Sequence, residues 1–494
     1  MWRDPHAVLL AEDAIRMIGG PGAFADKPAP ALTPQPASAA DVVRLDLPLT
    51  EVGLAERFIA RHGADLRYSN ARRKWLVWSG SRWQWDECGA VELRLKNTIR
   101  AIYAAVPHLP EGDRERFAKF AIRCDNDKPI RAALNRARVE EGVAVALDDL
   151  DADPWLLNTP SATIDLRSGE ARPHRRGDLL TMATTTPFER GAKAERFERF
   201  LGEVFPQGRE VTEFLMRAAG YSLTGSTREE KFFLLHGTGR NGKGTMTGAL
   251  QALMGEYAAA ADFSTFTRRA DDGQAREDVA ALRGKRLVVA NEGREGGRLN
   301  ETVVKGLTGG DRIRARHLYE NSVEFQPQFK LWLASNFKPE IDGGDPAIWA
   351  RILLIPFEVS FSGHEDMGLK AALQVEAPGV LNWAIEGAAR WSEEGLNPPK
   401  VVSLAVASYR EESDIIRRFL DDCTDSLDTA RIPSRRLYSR YVEWAKKAGE
   451  DSLAERRFTQ RVKLAGIRHE KGREANYFAG LALREAGMDG GADV

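Results

Sequence analysis

The sequence predicts an α/β protein whose central domain carries a parallel sheet. Three apolar runs indicate buried strands, at 231–236, 286–291 and 330–335, and each ends in a polar residue. Apolar residues recur at i, i+3 and i+4 through 195–225, and 246–254 continues in a helical pattern after the first strand. Strands that alternate with helices in this way are typical of α/β domains.

Length and composition exclude several classes of protein. The chain has 494 residues, with 43% hydrophobic and 29% charged residues, which suggests about three folded domains and not a disordered chain. No apolar run approaches the roughly 18 to 20 residues of a membrane span, so we expect no membrane partner. The three cysteines lie far apart, which argues against a disulfide framework or a cysteine-rich zinc site. The 71 basic and 72 acidic residues nearly cancel, so charge has to be interpreted by region.

Local composition indicates where the domains begin and end. A Pro- and Ala-rich stretch cannot bury a core and predicts a flexible linker, and Pro398-Pro399 marks a later boundary. We predict a tail and linker over 1–40, an N-terminal α+β domain over 41–194, a helical collar over 195–228, the central domain with a helical lid over 229–398, and a C-terminal domain over 399–494.

Two clusters in the N-terminal domain allow both a functional and a structural interpretation. Four tryptophans surround a predicted hairpin turn: Trp75, Trp78, Trp83 and Trp85. They could stack on nucleic-acid bases or pack a small sheet, and we favour the packing role. Asp151, Asp153 and His174 are of the types that bind catalytic metals. However, Pro154 follows at once and no apolar strand precedes, so we favour a structural role.

A glycine-rich loop follows the first strand and precedes a helix, which is the context of a phosphate-binding loop. Glycines let backbone N–H groups approach phosphate oxygens, and Lys243 would neutralise the β- and γ-phosphates. Gly244 stands where such loops normally carry Ser or Thr, and Thr245 comes one place later as a Mg²⁺ ligand, either directly or through water. The alternative is a plain strand–helix turn. The predicted ATP-binding residues are Gly237, Thr238, Gly239, Arg240, Asn241, Gly242, Lys243, Gly244 and Thr245.

The second and third strands end in residues that suit phosphoryl transfer. Glu292 follows Asn291 and would bind Mg²⁺ and polarise the attacking water, unless it is simply a solvated glutamate. Asn336 would orient that water. Arg351, at the start of a further apolar strand, is either an arginine finger for a neighbouring subunit's ATP or part of a structural ion pair.

Two regions carry local positive charge. Residues 313–325 predict a hairpin with Arg314, Arg316 and His317 on or near it, which would grip a single-strand backbone or be merely solvated. Residues 431–473 hold 13 Lys or Arg against 5 Asp or Glu.

In that second basic region, one helix is predicted over 434–448. A capping box at Ser452–Glu455 opens a second, which runs to about Leu464, and His469–Leu483 would form a wing. This pattern fits a winged-helix DNA-binding module, or alternatively a basic lid on the central domain, and its candidate contacts are Arg456, Arg457, Arg461 and Lys463.

The order of these motifs is more specific than any one of them. GTGRNGKGT, RLVVANE, KGLTGGDRIRAR, KLWLASN and WARILLIPF follow one another with plausible spacing, and WLVWSGSRWQWD and LDADPWLLNT precede them. Together they resemble the superfamily-three helicases, in particular the phage, plasmid and poxvirus primase–helicase family. The resemblance covers about residues 50–485.

The resemblance implies an AAA+ core that assembles into a ring, commonly a hexamer, with ATP between subunits. Arg351 of one subunit would face Lys243, Glu292 and Asn336 of the next. Family members move 3′→5′ on single-stranded DNA, and the family's hairpin adds Lys305 to Arg316 and His317 as DNA-facing residues. The region over 41–194 would be the helicase-associated domain.

We therefore expect an ATP- and Mg²⁺-dependent helicase of phage or plasmid replication. It would act on single-stranded and forked DNA in the cytoplasm of a bacterial host, without its own primase domain and with a separate primase as a further partner. A DNA-binding ATPase without productive unwinding, such as an initiator or loader, remains the alternative because of Gly244 and Asn291. A nucleotide kinase is a third, suggested by Gly-Lys-Gly-Thr alone.

Overall fold

The computed structural model describes residues 44–268, 277–291, 297–316, 322–341, 345–450, 452–472 and 475–484. The predicted tail and linker over 1–40 lie outside these residues. The chain divides into two compact units, which we treat separately. One comprises the chain up to Tyr68 together with Asp86–Ala144, and the other comprises Ser69–Trp85 and everything from Val145 onward. In the described part of the chain, no helix is both long enough and apolar enough to cross a membrane.

The first unit is mainly helical. Its core is organised by Arg57, which is 1% exposed and donates hydrogen bonds to the carbonyls of Arg44, Leu47 and Pro48. The same guanidinium lies 5.4 Å from the ring centre of Phe120, so it ties the entering chain to a neighbouring helix. The helices are α1 (Glu51–His62), α2 (Ala90–Ala105), α3 (Glu111–Cys124) and α4 (Asp127–Ala137), and the unit also contains all but the last residue of β1 (Leu66–Ser69).

The second unit begins with two small antiparallel sheets. The predicted tryptophan hairpin is present, with Trp78 opposite Trp83. Trp83 is fully buried and its indole N–H donates to the Arg176 carbonyl at 2.9 Å, so this ring packs the fold as favoured above. The strands of the hairpin are β2 (Lys74–Trp78) and β3 (Trp83–Trp85), and those of the second sheet are β4 (Leu156–Asn158), β5 (Thr163–Asp165) and β6 (Glu170–Arg172).

Asp151 and Asp153 have structural partners. The buried Asp151 carboxylate accepts hydrogen bonds from the backbone N–H of Thr181, at 2.8 Å, and from its hydroxyl. Asp153 forms an ion pair with Arg167 at 3.0 Å. Neither residue lies on a strand, and the described residues contain no group of three side chains arranged to hold a metal ion. These contacts favour the structural interpretation of the cluster.

The helical collar consists of α5 (Glu195–Val204) and α6 (Arg209–Leu223), which bury the apolar positions expected from their spacing. Helix α6 packs closely on a later helix, α12 (Ala377–Glu394). A Cβ added at Gly220 would lie 2.0 Å from the Ala388 nitrogen, and one added at Gly387 would lie 1.9 Å from the Met216 carbonyl oxygen. The two backbones can approach this closely only because both positions are glycine.

Five strands of the described chain form the central sheet, in the order β13-β7-β12-β9-β8, and all neighbours are parallel. Strand β12 therefore lies between the strand before the glycine loop and the strand that ends in Asn291. The apolar residues of β7, β9 and β12 are buried on both faces, as expected for parallel strands covered by helices. The strands are β7 (Phe232–His236), β8 (Ala258–Asp262), β9 (Leu287–Asn291), β12 (Lys330–Ser335) and β13 (Ile352–Pro356).

Helices and one hairpin complete the central domain. The hairpin pairs β10 (Ile313–Arg316) with β11 (Ser322–Phe325), as predicted, and buries Ala315 and Phe325. The helices are α7 (Lys243–Met254), α8 (Glu277–Ala280), α9 (Glu301–Thr308), α10 (Pro346–Trp349), α11 (Leu369–Val375) and α12 (Ala377–Glu394).

The C-terminal part has its own hydrophobic cluster, which begins at Ile416. Helix α13 (Lys400–Glu412) contributes Tyr409 to the core of the central sheet instead. The cluster stacks aromatic rings, with Tyr441 and Phe458 at 4.7 Å between ring centres. Its elements are α14 (Ile415–Cys423), β14 (Thr424–Pro433), α15 (Ser434–Ala448), α16 (Glu455–Leu464), β15 (Arg468–Lys471) and β16 (Asn476–Leu483), with an antiparallel sheet in the order β14-β16-β15.

Two sequence expectations for this part were wrong in detail. Helix α16 begins at Glu455 after Ala454, and no side chain caps it, so the capping box from Ser452 does not form. Strand β14 was not expected. Only Thr424 and Ile432 of its ten residues are buried, so it lacks the alternating pattern that identifies a half-buried strand, and it is held by backbone pairing with β16.

The close α6–α12 contact leads to a stability prediction. Gly387→Ala should lower the free energy of unfolding by about 1–3 kcal/mol, because its methyl group would force the two helices apart. Gly202→Ala is the matched control on α5, where an added Cβ meets nothing within 4 Å, and it should raise stability by about 0.5–1 kcal/mol. Urea unfolding of both variants measures the difference. Equal stability of the two would contradict the packing argument.

Candidate nucleotide-binding site

The glycine loop joins β7 to α7 as the sequence predicted. Its glycines are required sterically. A Cβ at Gly237 would lie 2.3 Å from the Phe357 carbonyl oxygen, and Gly239 and Gly242 have φ angles of +103° and +89°. The loop thus turns tightly at the carboxyl end of β7 and leads into the amino end of α7. Free backbone N–H groups at such a helix start suit an anion.

Lys243 lies at the centre of the loop and is 7% exposed. Its ammonium group donates to the Gly237 carbonyl at 2.6 Å, to Asn241 Oδ1 at 3.1 Å and to Asn336 Oδ1 at 3.0 Å. All three acceptors are uncharged, and burial lowers the pKa of Lys243 from its ordinary value. An anion in the loop would relieve this burial of an unpaired charge.

Asn336 reaches the loop because of the strand order. Strand β12 pairs with β7, Ser335 lies opposite His236, and the next residue in each strand enters the same edge of the sheet. On the other side of β12, Ala334 lies opposite Asn291, whose side chain also lines the cleft. The structure therefore brings Lys243, Asn336 and Asn291 together. Glu292, the predicted metal ligand and base, lies outside the described residues.

Thr245 lines the same cleft in the first turn of α7. The adjacent Gly244 is exposed, and a Cβ there would meet nothing within 4 Å. The surrounding structure would therefore accept a Ser or Thr side chain at position 244, so packing does not explain why a glycine stands there. Thr245 and Asn291 both line the cleft and both carry a side-chain oxygen, which is the ligand type that Mg²⁺ prefers, so the residue types present fit that ion.

The cleft has a volume of about 1030 Å³. Its polar end is formed by the glycine loop and the strand ends. Its other end is largely apolar and is formed by one side of α7, by α11 and α12, and by a threonine pair: Ala249, Ala252, Leu253, Leu373, Ala377, Val380, Thr185 and Thr186. A cleft with an anion-binding end and an apolar end can accommodate the phosphates and the base of a nucleotide.

Arg351 lies at the opposite edge of the sheet. It immediately precedes β13, and its carbonyl accepts a hydrogen bond from the Phe232 nitrogen, at the start of β7. The 5 residues of β7 separate that level from the loop, about 16 Å at ~3.3 Å per residue. The guanidinium forms an ion pair with Glu230 at 2.7 Å and donates to the Ala347 carbonyl at 3.1 Å. Arg351 therefore does not reach the nucleotide cleft of its own chain.

Comparisons with known proteins place this arrangement in a family. Three family models match: "D5 N terminal like" over residues 55–206, a family of unknown function (DUF5906) over 235–350, and "Poxvirus D5 protein-like" over 411–466. The first and third both describe the D5 protein type and lie in the expected order on either side of the central sheet. These matches support membership of the phage and poxvirus primase–helicase family.

Individual relatives agree with this assignment. "Putative helicase L207/L206" of Acanthamoeba polyphaga mimivirus is 27% identical over 325 residues, which cover 61% of this chain and 34% of that protein. "Putative helicase 022R" of Frog virus 3 is 27% identical over 269 residues, covering 50% and 27%. The chain thus spans about a third of the length of the curated relatives it matches, and the expected lack of a primase domain stays a prediction.

A solved structure, the apo form of the NrS-1 C-terminal region, superposes with a TM-score of 0.47 at 11% identity. The superposition covers 84% of this chain and 95% of that one.

The hairpin residues that the primase–helicase family suggests as DNA contacts are only partly described. Arg316 ends β10, but its side chain and the whole of His317 lie outside the described residues. Lys305 lies on α9 and forms an ion pair with Asp345, which caps α10 through the Ala347 nitrogen. The hydrogen bond from Lys305 lowers the pKa of the Asp345 carboxyl. A DNA contact by Lys305 stays a prediction, and it would compete with this pair.

On α16 the four predicted DNA contacts do not share one environment. Arg456, Arg457 and Lys463 are exposed, whereas Phe458 on the same helix is buried. Arg461 is half-buried and lines a smaller cleft of about 220 Å³ together with Glu412 and Glu450. Its side chain is therefore engaged within the chain, unlike the other three.

Several residues of the nucleotide cleft were missed by the sequence analysis. Thr185 and Thr186 lie far before the loop in the chain, and Lys370 and Gln374 lie far after it on α11. None belongs to a motif. A run of three threonines at 184–186 was the only local signal, and it does not by itself indicate a ligand.

The loop geometry predicts which glycine substitutions matter. Gly237→Ala should destabilise the protein by about 1–3 kcal/mol and abolish the rise in melting temperature on adding ATP, because its methyl group would collide with the Phe357 carbonyl. Gly244→Ala in the same loop is the control, and it should keep both stability and the ATP-induced shift. Thermal unfolding with and without ATP checks this, and an unshifted melting temperature in both variants and the parent would contradict the site.

Proposed function

We propose that this chain is an ATP-driven, ring-forming DNA helicase that moves 3′→5′ on single-stranded DNA. The observation that carries the proposal is the contact of Lys243 with Asn336. It joins the phosphate-binding loop to a polar residue on the neighbouring strand within one cleft. Family membership supplies the helicase assignment, and the polarity and the hexamer rest on the family resemblance.

In this proposal ATP lies in the 1030 Å³ cleft with its phosphates in the glycine loop. Lys243 exchanges neutral acceptors for phosphate oxygens, which offsets the burial of its charge. Asn336 is released from Lys243 and orients the attacking water. Thr245 and Glu292 would hold Mg²⁺, which would neutralise the charge that develops on the phosphates. Glu292 accepts the proton of the water.

The position of Arg351 supports a ring. It lies at the amino edge of the sheet, and its own glycine loop lies at the carboxyl edge. An arginine finger at this position can only act on the nucleotide of a neighbouring subunit, whose cleft would be completed by it. In the isolated chain, the guanidinium is paired with Glu230, so ring formation would exchange one anionic partner for another.

The C-terminal part supports contact with DNA. Three helices and an antiparallel sheet in the order β14-β16-β15 are compatible with a winged helix, in which α16 would be the recognition helix. Its exposed Arg456, Arg457 and Lys463 would contact phosphates, which gives affinity without sequence choice.

A second candidate function is a DNA-binding ATPase without productive unwinding. Gly244 and Asn291 favour it. Gly244 removes the usual hydroxyl from the loop, and Asn291 places an amide where a carboxylate is expected. Both changes weaken the expected binding of Mg²⁺. Slow hydrolysis would suit an initiator or loader better than a motor.

If Arg351 acts on the ATP of a neighbouring subunit, two inactive variants should complement each other when they are mixed. Lys243→Ala and Arg351→Ala should each lower DNA-stimulated ATP hydrolysis by about 10³-fold or more. When they are mixed in equal amounts, roughly a quarter of the interfaces would pair an intact Lys243 with an intact Arg351, so activity should partly return. Arg390→Ala, which removes an exposed arginine from its ion pair with Glu386, is the control and should stay active. An inactive mixture of variants that still assemble would refute the assignment of Arg351.

The two candidate functions differ in strand separation. We expect the parent protein to unwind a duplex with a 3′ single-stranded tail while hydrolysing ATP, because each base-pair step costs about 1.4 kcal/mol of stacking. A duplex with only a 5′ tail should remain paired. A gel-based unwinding assay run beside phosphate release measures both. Hydrolysis without unwinding on either tail would favour the initiator or loader.

A further inference from the structure

A second cleft lies at the amino edge of the central sheet, opposite the nucleotide cleft. Its volume is about 480 Å³. Its walls come from the residues just before β9, from both ends of the β10–β11 hairpin and from the tryptophan hairpin. It shares no lining residue with the nucleotide cleft, so a second ligand can bind here without displacing the first.

Four cations line this cleft: Arg72, Arg283, Lys285 and Arg312. One carboxylate, Asp148, lies between two of them, at 3.4 Å from Arg283 and 3.4 Å from Arg312. One negative charge is thus shared by two guanidiniums. Arg283 is partly enclosed, with 22% of its side chain exposed. Burial, and then the charge of Arg72, lower its pKa from the ordinary arginine value.

The other acidic residues of the cleft already have partners of their own. Glu256 forms an ion pair with Arg82, which lies outside the lining. The buried carboxylate of Asp151 accepts two hydrogen bonds from Thr181, and burial raises its pKa. The cleft therefore holds more positive charge than its own carboxylates neutralise, and that surplus is partly enclosed.

An aromatic ring lies beside this charge. Trp85 is half-buried at the end of β3, and the Arg72 guanidinium lies 5.0 Å from its ring centre. Aromatic rings interleaved with cations are the pattern of single-strand binding surfaces, where bases stack and the backbone is neutralised. A small free anion would need the cations but not the ring.

We propose that this cleft binds the phosphodiester backbone of single-stranded nucleic acid, with Arg283 and Arg312 on phosphates and Trp85 available to a base. The inference rests on the proposed function for its choice of partner. The hairpin assigned to DNA gripping forms one wall of the cleft. A strand held by that hairpin can therefore continue along its base to the tryptophan hairpin, and the cleft extends the DNA path away from the nucleotide.

The test measures binding of a fluorescent oligothymidylate by anisotropy over a range of salt, without nucleotide. Arg283→Gln with Arg312→Gln should weaken binding about tenfold and reduce the steepness of log K against log salt by about 1.4, for two lost phosphate contacts. The matched control is Arg116→Gln with Arg131→Gln, two exposed arginines each paired with one acid in α3 and α4, and it should change neither quantity. Unchanged affinity and slope in the cleft variant would overturn the proposal.

A third variant should raise the affinity for oligothymidylate instead of lowering it, which a misfolded protein would not do. Asp148→Asn removes the carboxylate shared by Arg283 and Arg312, so oligothymidylate should bind several-fold more tightly. Weaker or equal binding there would also count against the cleft. If the parent protein binds no oligonucleotide, both the cleft and the DNA partner fail. If it binds and hydrolyses ATP while all cleft variants behave as the parent, only the cleft fails.

Discussion

The position of one buried ammonium group depends on much of the central domain. Lys243 is held by a loop carbonyl, by Asn241 and by Asn336, and the last of these is available only because β12 lies directly beside β7. If β9 were the neighbour of β7, Asn291 would occupy that place instead. The strand order thus decides which polar residue responds when an anion enters the loop. A charge with only neutral partners is poised for such an anion.

The two edges of the sheet have different chemistry. The carboxyl edge carries the glycine loop and the polar strand ends. At the amino edge, two cations are fully buried: Lys330, at the start of β12, donates to the Ser226 and Gln328 carbonyls at 3.2 and 3.1 Å, and Arg286, before β9, donates to the Leu223 carbonyl at 2.8 Å. Lys330 also donates to the Thr224 carbonyl at the end of α6. The negative end of the α6 dipole stabilises both charges. These contacts hold the amino ends of β12 and β9 in place.

Much of the central domain was predictable because its signals are local. The apolar runs of β7, β9, β12 and β13, the helical spacing of α5 and α6, and the hairpin at 313–325 were all expected where the structure has them. Lys243, Asn336 and the loop glycines were identified from motif context. Strand β14 and the uncapped start at Glu455 were not, because exposed edge strands and helix starts held by tertiary packing leave little trace in the sequence.

The sequence by itself predicted the family and located the motifs, since both depend on residue types at fixed spacing. The tertiary structure decided which residues meet. Thr185, Gln374 and the loop line one cleft although nearly 200 residues separate the first two. Arg351 lies at the edge away from its own loop, and Arg461 faces inward while its neighbours face solvent. Such juxtapositions follow from strand order and helix packing over long separations, which no local pattern specifies.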